Sequence, residues 1–468
     1  MAVDVLTQKS GTSDGLVFLD PYSINGPTTG QSGALILDSA GNPVWFRPLR
    51  STDLMNSDFR TQMLDGRPVL TFWQGTIASP STATNLPPGS PEPGACFYIY
   101  DNHYRLVGTL TPKDGWAADV HEFLLTAQGD ALYISTKTVP MDLTAYGGPS
   151  NGSVNDEEVQ EVDLATGKLV FTWDELEHVS LSDSEVPASS ADASDGYVWD
   201  AFHMNSLEQG PQNQVLISSR NTWAVDDVDM TDGHTLWQLG GKSSSFTFPQ
   251  ETATFSWQHM ARFLPGNDIS LFDDGCCASP TAQALGPSHG LVLHLDFSRK
   301  TAASVVTYFH APALSTHSQG SFEALANGDE MMGWGAEPYY SEYGPGGNSE
   351  EDATEHLLYD VRMPGSNISY RAFRSSWVGT PSDPPSVAAR RSGAQTVVFA
   401  SWNGSTSATA WRVLSGPRPD HLSVVGASAP RTGFETAMAT GAAGPYFAVQ
   451  ALGATGDVLG TSAVTPAQ

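Results

Sequence analysis

The sequence predicts an all-β protein: a six-bladed β-propeller followed by a small C-terminal fibronectin-III-like β-sandwich. Three observations carry this. Strand-length apolar segments recur with polar, glycine-bearing turns between them, and no stretch above about ten residues sustains helical periodicity. The 468 residues include 45 Gly and 31 Pro, enough turn formers for a loop-rich β chain.

The elements follow in chain order. "GALILDSAGNPVWFRPL" (33–49) reads as a hairpin around Asp-x-x-Gly with no inner strand before it. Five later segments share one plan, an apolar strand, a polar turn and a second apolar strand: "DFRTQMLDGRPVLTFWQG" (58–75), "DVHEFLLTAQGDALYISTKT" (119–138), "AFHMNSLEQGPQNQVLISSRN" (201–221), "WQHMARFLPGNDISLFDDG" (257–275) and "GSFEALANGDEMMGWGAE" (320–337). Third and fourth strands follow in "YIYDNHYRLVGTL" (98–110), "VDLATGKLVFTW" (162–173) and "VDDVDMTDGHTLWQL" (225–239). The acidic run in the last of these resembles a calcium loop but lacks its spacing and closing Glu, so it reads as a solvated turn. Four-stranded repeats of this length describe propeller blades. The N-terminal hairpin is expected to join a strand from near residues 355–375, closing the ring and hiding its edge. Six blades result, with five or seven as alternatives. Segments 139–160 and 178–197 read as long loops over one face. After the Pro-rich "WVGTPSDPPSV" (377–387), short alternating strands run to the end. The expected domains are therefore a propeller over 1–380 and a sandwich over 388–468.

Charge narrows the partners. With 22 Lys+Arg against 51 Asp+Glu the net charge is −29, which argues against nucleic acid or an anionic membrane surface. A local basic pocket for a small anion remains compatible with it. No apolar run approaches a membrane span. "MAVDVLTQKS" lacks a secretory layout, so the chain is either cytoplasmic or has lost a leader. Cys96, Cys276 and Cys277 form no disulfide framework, although one bridge from Cys96 is possible. Asn151, Asn367 and Asn403 head Asn-x-Ser sequons, which suit a secreted protein and also arise by chance.

The repeats place polar residues together. In an antiparallel pair the second strand ends beside the start of the first, about 5 Å away. His203 starts one inner strand and Arg220 ends its neighbour, so both belong to one mouth. His121 and His259 occupy the same place in their repeats, and Lys137 and Gln74 fall near the Arg220 position. Trp73, Trp223, Trp334 and Tyr339, with Tyr340, follow second strands and are candidates to wall an aromatic pocket; blade packing would explain them as well. Three histidines suit a catalytic zinc, but the neighbouring Arg220 suits an anion instead, so neither metal nor cofactor is expected. Cationic groups with aromatic walls point to an anionic aryl substrate such as an aryl sulfate or phosphate. A neutral imidazole can attack it, arginine can hold its oxygens, and another histidine can protonate the leaving phenolate.

At "DVHEF" (119–123), "FHMNS" with "SSRNTW" (202–206 and 218–223), "FSWQHMARF" (255–263) with "SLFDDG" (270–275), and "QGSFEALANGD…GWG" (319–335), the sequence resembles the arylsulfotransferase family in its PAPS-independent form. The C-terminal "SWNGST…WRV" and "GFETAM" resemble the accessory module of its secreted fungal and actinobacterial branch. The resemblance implies sulfuryl transfer from an aryl sulfate donor to a phenolic acceptor through a sulfohistidine, with His259 as nucleophile. It implies that His203 and Arg220 hold sulfuryl oxygens and that His121 transfers a proton or binds oxygen. It also implies an extracytoplasmic home. Met260 and "FDDG" depart from the usual neighbourhood of the nucleophile. Two other functions fit the same channel. One is a cyclase or lyase of secondary metabolism, such as a hetero-Diels–Alderase, acting on an aromatic product; the other is a non-catalytic binding propeller.

Overall fold

The computed structural model describes residues 2–24, 26–76, 95–190, 198–275, 286–442 and 444–468. Six antiparallel sheets follow one another along the chain. The first joins Phe373–Ser375 to Leu16–Leu19, Gly33–Leu37 and Pro43–Pro48, and the next four begin at Leu54–Leu64, Ala117–Leu125, Met204–Gln209 and His259–Leu264. The sixth runs from Ser321–Ala324 to Leu357–Arg362 and takes Asp4–Gln8 as a fifth, outer strand. The expected closure is present: Leu16–Leu19 pairs antiparallel with Phe373–Ser375.

Middle strands such as "LVFL", "QVLISS" and "DISLFD" carry apolar runs because both their faces are buried. Leu216 packs against the following sheet with Ile269 and Leu271, while its neighbour Ile217 packs against the preceding sheet with Leu132 and Val159. Four further clusters of similar make-up fill the remaining gaps between successive sheets, one of them holding Phe18, Trp45, Phe59 and Phe72 between first and second. Inner strands are also stapled to one another. Gln62 Oε1 accepts from the Leu125 amide at 2.8 Å, Ser206 Oγ from Ala261 at 3.0 Å, and Glu323 Oε2 from Arg374 at 2.9 Å.

Two sequence expectations need correction. Segment 139–160 is mostly strand: Asp130–Met141 and Gly152–Asp163 pair over their full length, leaving only the ten-residue connection 142–151. Its "NDEE" run looks loop-like only because the strand buries carboxylates. Asn367 is fully buried, with Thr29 bonded to its side chain through both amide and carbonyl, so it cannot carry a glycan. Within 178–190, Leu181–Asp183 and Ala188–Ser190 form short 3₁₀ turns, whereas 191–197, Cys276 and Cys277 lie outside the described residues.

The C-terminal segment builds two sheets, one from Ser386–Ser392, Gln395–Ser401 and Glu435–Thr440, the other around Ala410–Arg418 and Tyr446–Leu452. Trp411, Val398, Phe447 and Val449 form its core. Gly404 fastens it to the first two sheets: its amide donates to Val44 O at 2.8 Å, and its carbonyl accepts from the Tyr104 hydroxyl at 2.8 Å. At φ +91° a Cβ there would lie 2.2 Å from the Tyr104 ring, so only glycine fits. Among the described residues no helix is long and apolar enough to cross a membrane.

Candidate active site: three histidine–aspartate pairs beside one arginine

The inner strands lose their regular pairing where the histidines sit. Register shifts interrupt the ladders between Ser57 and Arg60, Met204 and Ser206, and His259 and Arg262, and opposite Tyr133–Ser135 in the His121 strand. Such bulges bend a strand and re-aim its side chains. His203 (φ 60°) and Met260 (φ 52°) take left-handed backbone there. Met260 thereby turns into the apolar cluster with Phe59, Phe72 and Phe373.

His203 and Arg220 are joined as the hairpin geometry requires, with the Arg220 amide donating to His203 O at 2.9 Å. Arg220 lies in a 3₁₀ turn, Arg220–Thr222, closed by Trp223 in left-handed conformation. Its guanidinium stacks 4.8 Å above the Trp257 ring, and Nη2 donates to His317 O at 2.8 Å. The His121 and His203 rings meet edge-to-face at 4.7 Å.

Each histidine has an aspartate at Nδ1: His121 with Asp119 at 2.6 Å, His203 with Asp200 at 2.5 Å, and His259 with Asp274 at 2.6 Å. His259 is 1% exposed, and its other nitrogen, Nε2, accepts from the Gln319 amide at 3.2 Å. A ring nitrogen that accepts carries a lone pair, so the ring proton sits on Nδ1 and Asp274 takes it. Burial, the Arg220 guanidinium and the two other histidines hold His259 well below the ordinary imidazole value, and it is therefore neutral. Burial pushes Asp274 the other way, upward, and Arg220 opposes that. The tautomer set by Gln319 decides for an accepting carboxylate. Gln258 fixes the preceding backbone: its side-chain nitrogen donates to Ser218 Oγ, Ser219 O and Ala224 O, and its carbonyl accepts from Asn205 Nδ2 at 2.7 Å.

Beneath the histidines lies a buried ion network. Glu122 pairs with Arg60, with Arg262 at 2.8 Å and with Arg371 at 3.1 Å, while Arg371 also reaches Asp58 at 2.7 Å. Arg371 further depresses His259.

The structure thus brings His121, His203, His259 and Arg220 together. Lys137 instead lies 3.8 Å above the Trp116 ring and 3.7 Å from Asp156, and Gln74 accepts from Arg47 at 2.9 Å. Their second strands run straight to Met141 and Thr76, without the turn that swings Arg220 inward. Trp73 and Trp334 are 2% and 0% exposed, with indole nitrogens bonded to Ala118 O and Ser341 Oγ; both are packed inside clusters. Tyr339 stands against His310 at 4.6 Å. Trp223 borders a cavity of about 900 Å³ shared with Phe248, Phe255, His289 and Phe309. Sequence reasoning missed Asp119, Asp200, Asp274, Trp257, Gln319 and Arg371. The first two were readable as Asp-x-His and Asp-x-x-His, Trp257 stands two residues before His259, and Asp274 directly follows the second strand of the same hairpin; Gln319 and Arg371 come from distant segments. Among the described residues, the metal-type side chains that converge are Asp229, Asp232 and His234 on a surface turn, and the site histidines form no such group.

A model of the family described as "Arylsulfotransferase (ASST)" matches residues 97–354, over half of the chain. The chain belongs to the arylsulfotransferase family. The matched span holds His121, His203, Arg220, His259, Asp274 and Gln319, and membership supports arylsulfotransferase-type activity on aryl or phenolic substrates. No curated protein matches this arylsulfotransferase-family chain. Solved structures similar to it include a Bacteroides caccae protein of unknown function, at 10% identity and TM-score 0.41 over 77% of this chain and 98% of that one. Another is the Pseudomonas aeruginosa periplasmic gluconolactonase PpgL, at 13% identity and TM-score 0.38 over 91% and 99%. Likenesses this distant carry no argument about the reaction.

Proposed function

We propose that this protein transfers a sulfuryl group from an aryl sulfate to a phenol, without PAPS, through a sulfohistidine on His259. The observation that carries the reading is the His259 ring: a neutral imidazole with Asp274 on Nδ1, Arg220 alongside, and an Nε2 lone pair that accepts from the Gln319 amide, a bond that gives way to the sulfuryl group when Nε2 attacks. Nε2 attacks sulfur, the S–O bond to the donor phenol breaks, and the phenolate takes a proton from His121 or His203. Asp274 stabilises the cationic ring that forms. In the second half the acceptor phenol loses its proton to the same histidine, its oxygen attacks sulfur, and the N–S bond returns its electron pair to Nε2. Arg220 and the Gln319 amide serve the sulfuryl oxygens as charge shifts.

The same reading takes the first six sheets as blades of a six-bladed propeller over 1–380, the last two as a sandwich over 388–468, and the protein as extracytoplasmic. Its test is the intact mass after incubation with p-nitrophenyl sulfate. One sulfuryl group should appear, map to His259 and vanish in His259→Ala; unchanged mass with no p-nitrophenol released sinks the proposal.

A further inference from the structure

The strand Gly152–Asp163 carries "NDEE" in its middle. Asp156 and its neighbour Glu158 share one face, with Lys137 and Asp174. Glu157 points the other way, is 1% exposed, and stands behind the candidate site. Its Oε2 accepts from the Met204 amide at 2.7 Å, one residue beyond His203 with its left-handed φ of 60°. The charged groups that act on it most strongly are all carboxylates: Asp200, the partner of His203; Asp119, the partner of His121; and Glu175 from the short helix Glu175–His178. On its own ladder it faces Thr136. Burial pushes Glu175 up as well, its carboxyl meeting Ser219 Oγ at 2.6 Å, and a further buried anion beside Asp119 and Asp200 would carry a heavy desolvation and repulsion cost.

We propose that Glu157 is a positioning residue that works as an uncharged carboxylic acid: it holds the Met204 amide, and with it the backbone of His203, while leaving Asp119 and Asp200 ionised against their histidines. The same burial and neighbours push its titration well above the ordinary carboxyl range. Because its other oxygen carries the proton, the two His–Asp pairs share a rigid support that adds no negative charge between them. The role rests on reading His203 as part of the reaction site.

The test uses the full chain with Glu157→Gln, which keeps the acceptor and stays neutral, and Glu157→Ala, which removes it. Infrared difference spectra of wild type minus Glu157→Gln at neutral pH should show the C=O stretch of a protonated carboxyl; a carboxylate band pair in its place overturns the proposal. ¹⁵N NMR of the His203 ring should be unchanged in Glu157→Gln and displaced in Glu157→Ala, with kcat on p-nitrophenyl sulfate down about tenfold and KM little altered in the latter. His203 signals that stay in place in Glu157→Ala overturn the positioning role. Should the alanine chain fail to fold, Glu157→Met fills the space without an acceptor and carries the same comparison. Absence of turnover in wild type would defeat the sulfuryl-transfer reading alone, since both spectra still decide the state and role of Glu157.

Discussion

Replacing Asp274 by Asn tests the tautomer on which the mechanism depends. The Asp274 side chain is fully buried, with Oδ2 on His259 and Oδ1 without a hydrogen-bond partner among the described residues. An Asn here has two orientations, and both are poor. With its oxygen on Nδ1 it preserves the tautomer but leaves a buried NH₂ at the Oδ1 position, a cost of about 1–3 kcal/mol. With its NH₂ on Nδ1 it forces the ring proton onto Nε2, opposite the Gln319 amide, and forfeits that bond at about 1 kcal/mol. The two lie close in energy, so the wrong tautomer is well populated, and the carboxylate that would stabilise a cationic ring is gone in both. For an analogous aspartate in a serine protease the loss is about four decades; here two to four decades in kcat are expected, about 3–5 kcal/mol of barrier. The assay is steady-state release of p-nitrophenol from its sulfate, beside ¹⁵N NMR of the His259 ring. A kcat within threefold of wild type, with the proton still on Nδ1, refutes the reasoning.

Arg220→Lys keeps the charge but loses the planar stack on Trp257, so kcat/KM should fall about 10–100-fold while the melting temperature barely moves; equal loss of both would assign Arg220 a structural role. Glu122→Ala leaves Arg60, Arg262 and Arg371 without their shared partner, and calorimetry should register about 3–5 kcal/mol of destabilisation. Stability should also depend on pH. Asp20 and Asp226 are buried and pushed up to about 7, above the unfolded value of 3.8, so between those limits the folded state binds more protons and loses stability as pH rises. For Asp226, 4% exposed, this is on the order of 4 kcal/mol, and Asp226→Asn should flatten the melting profile between pH 5 and pH 8; a profile parallel to wild type would remove Asp226 as a cause.

Most of the ring was legible because its strands are buried on both faces, which writes them as apolar runs with glycine turns between. The first sheet was readable from an absence, a hairpin without an inner strand, and Phe373–Ser375 lies at the end of the range expected to supply a closing strand. Segment 139–160 misled in the other direction: the irregular spacing of the repeats suggested a loop, whereas Asp156, Glu157 and Glu158 lie in a long strand, with Glu157 buried behind the histidines. At the site, the period of the repeats located the histidines and Arg220, since hairpin geometry fixes which backbone ends meet. It did not identify the side-chain partners of those histidines. Asp274 reaches His259 from the far end of the next strand, and Gln319 from another sheet's approach. Lys137 and Gln74 were drawn in by strand position alone, but a residue in an unbroken ladder cannot turn toward the axis.

That contrast explains where the reactive groups sit. Within an antiparallel ladder each backbone amide and carbonyl is committed to a neighbour, and each side chain stands perpendicular to the sheet, into the packing between sheets. A group can face a ligand along the axis only where pairing stops. His203, Trp223, Trp257, Met260 and Gln319 all adopt left-handed backbone without being glycine, at roughly 1–2 kcal/mol apiece. The compensation comes from bonds between sheets that would have no purpose in regular strands: the Gln258 fan, the Asn205–Gln258 bond and the Glu157–Met204 bond. The return is an amide on Gln319 free to meet Nε2, and an arginine released from its strand to lie over Trp257.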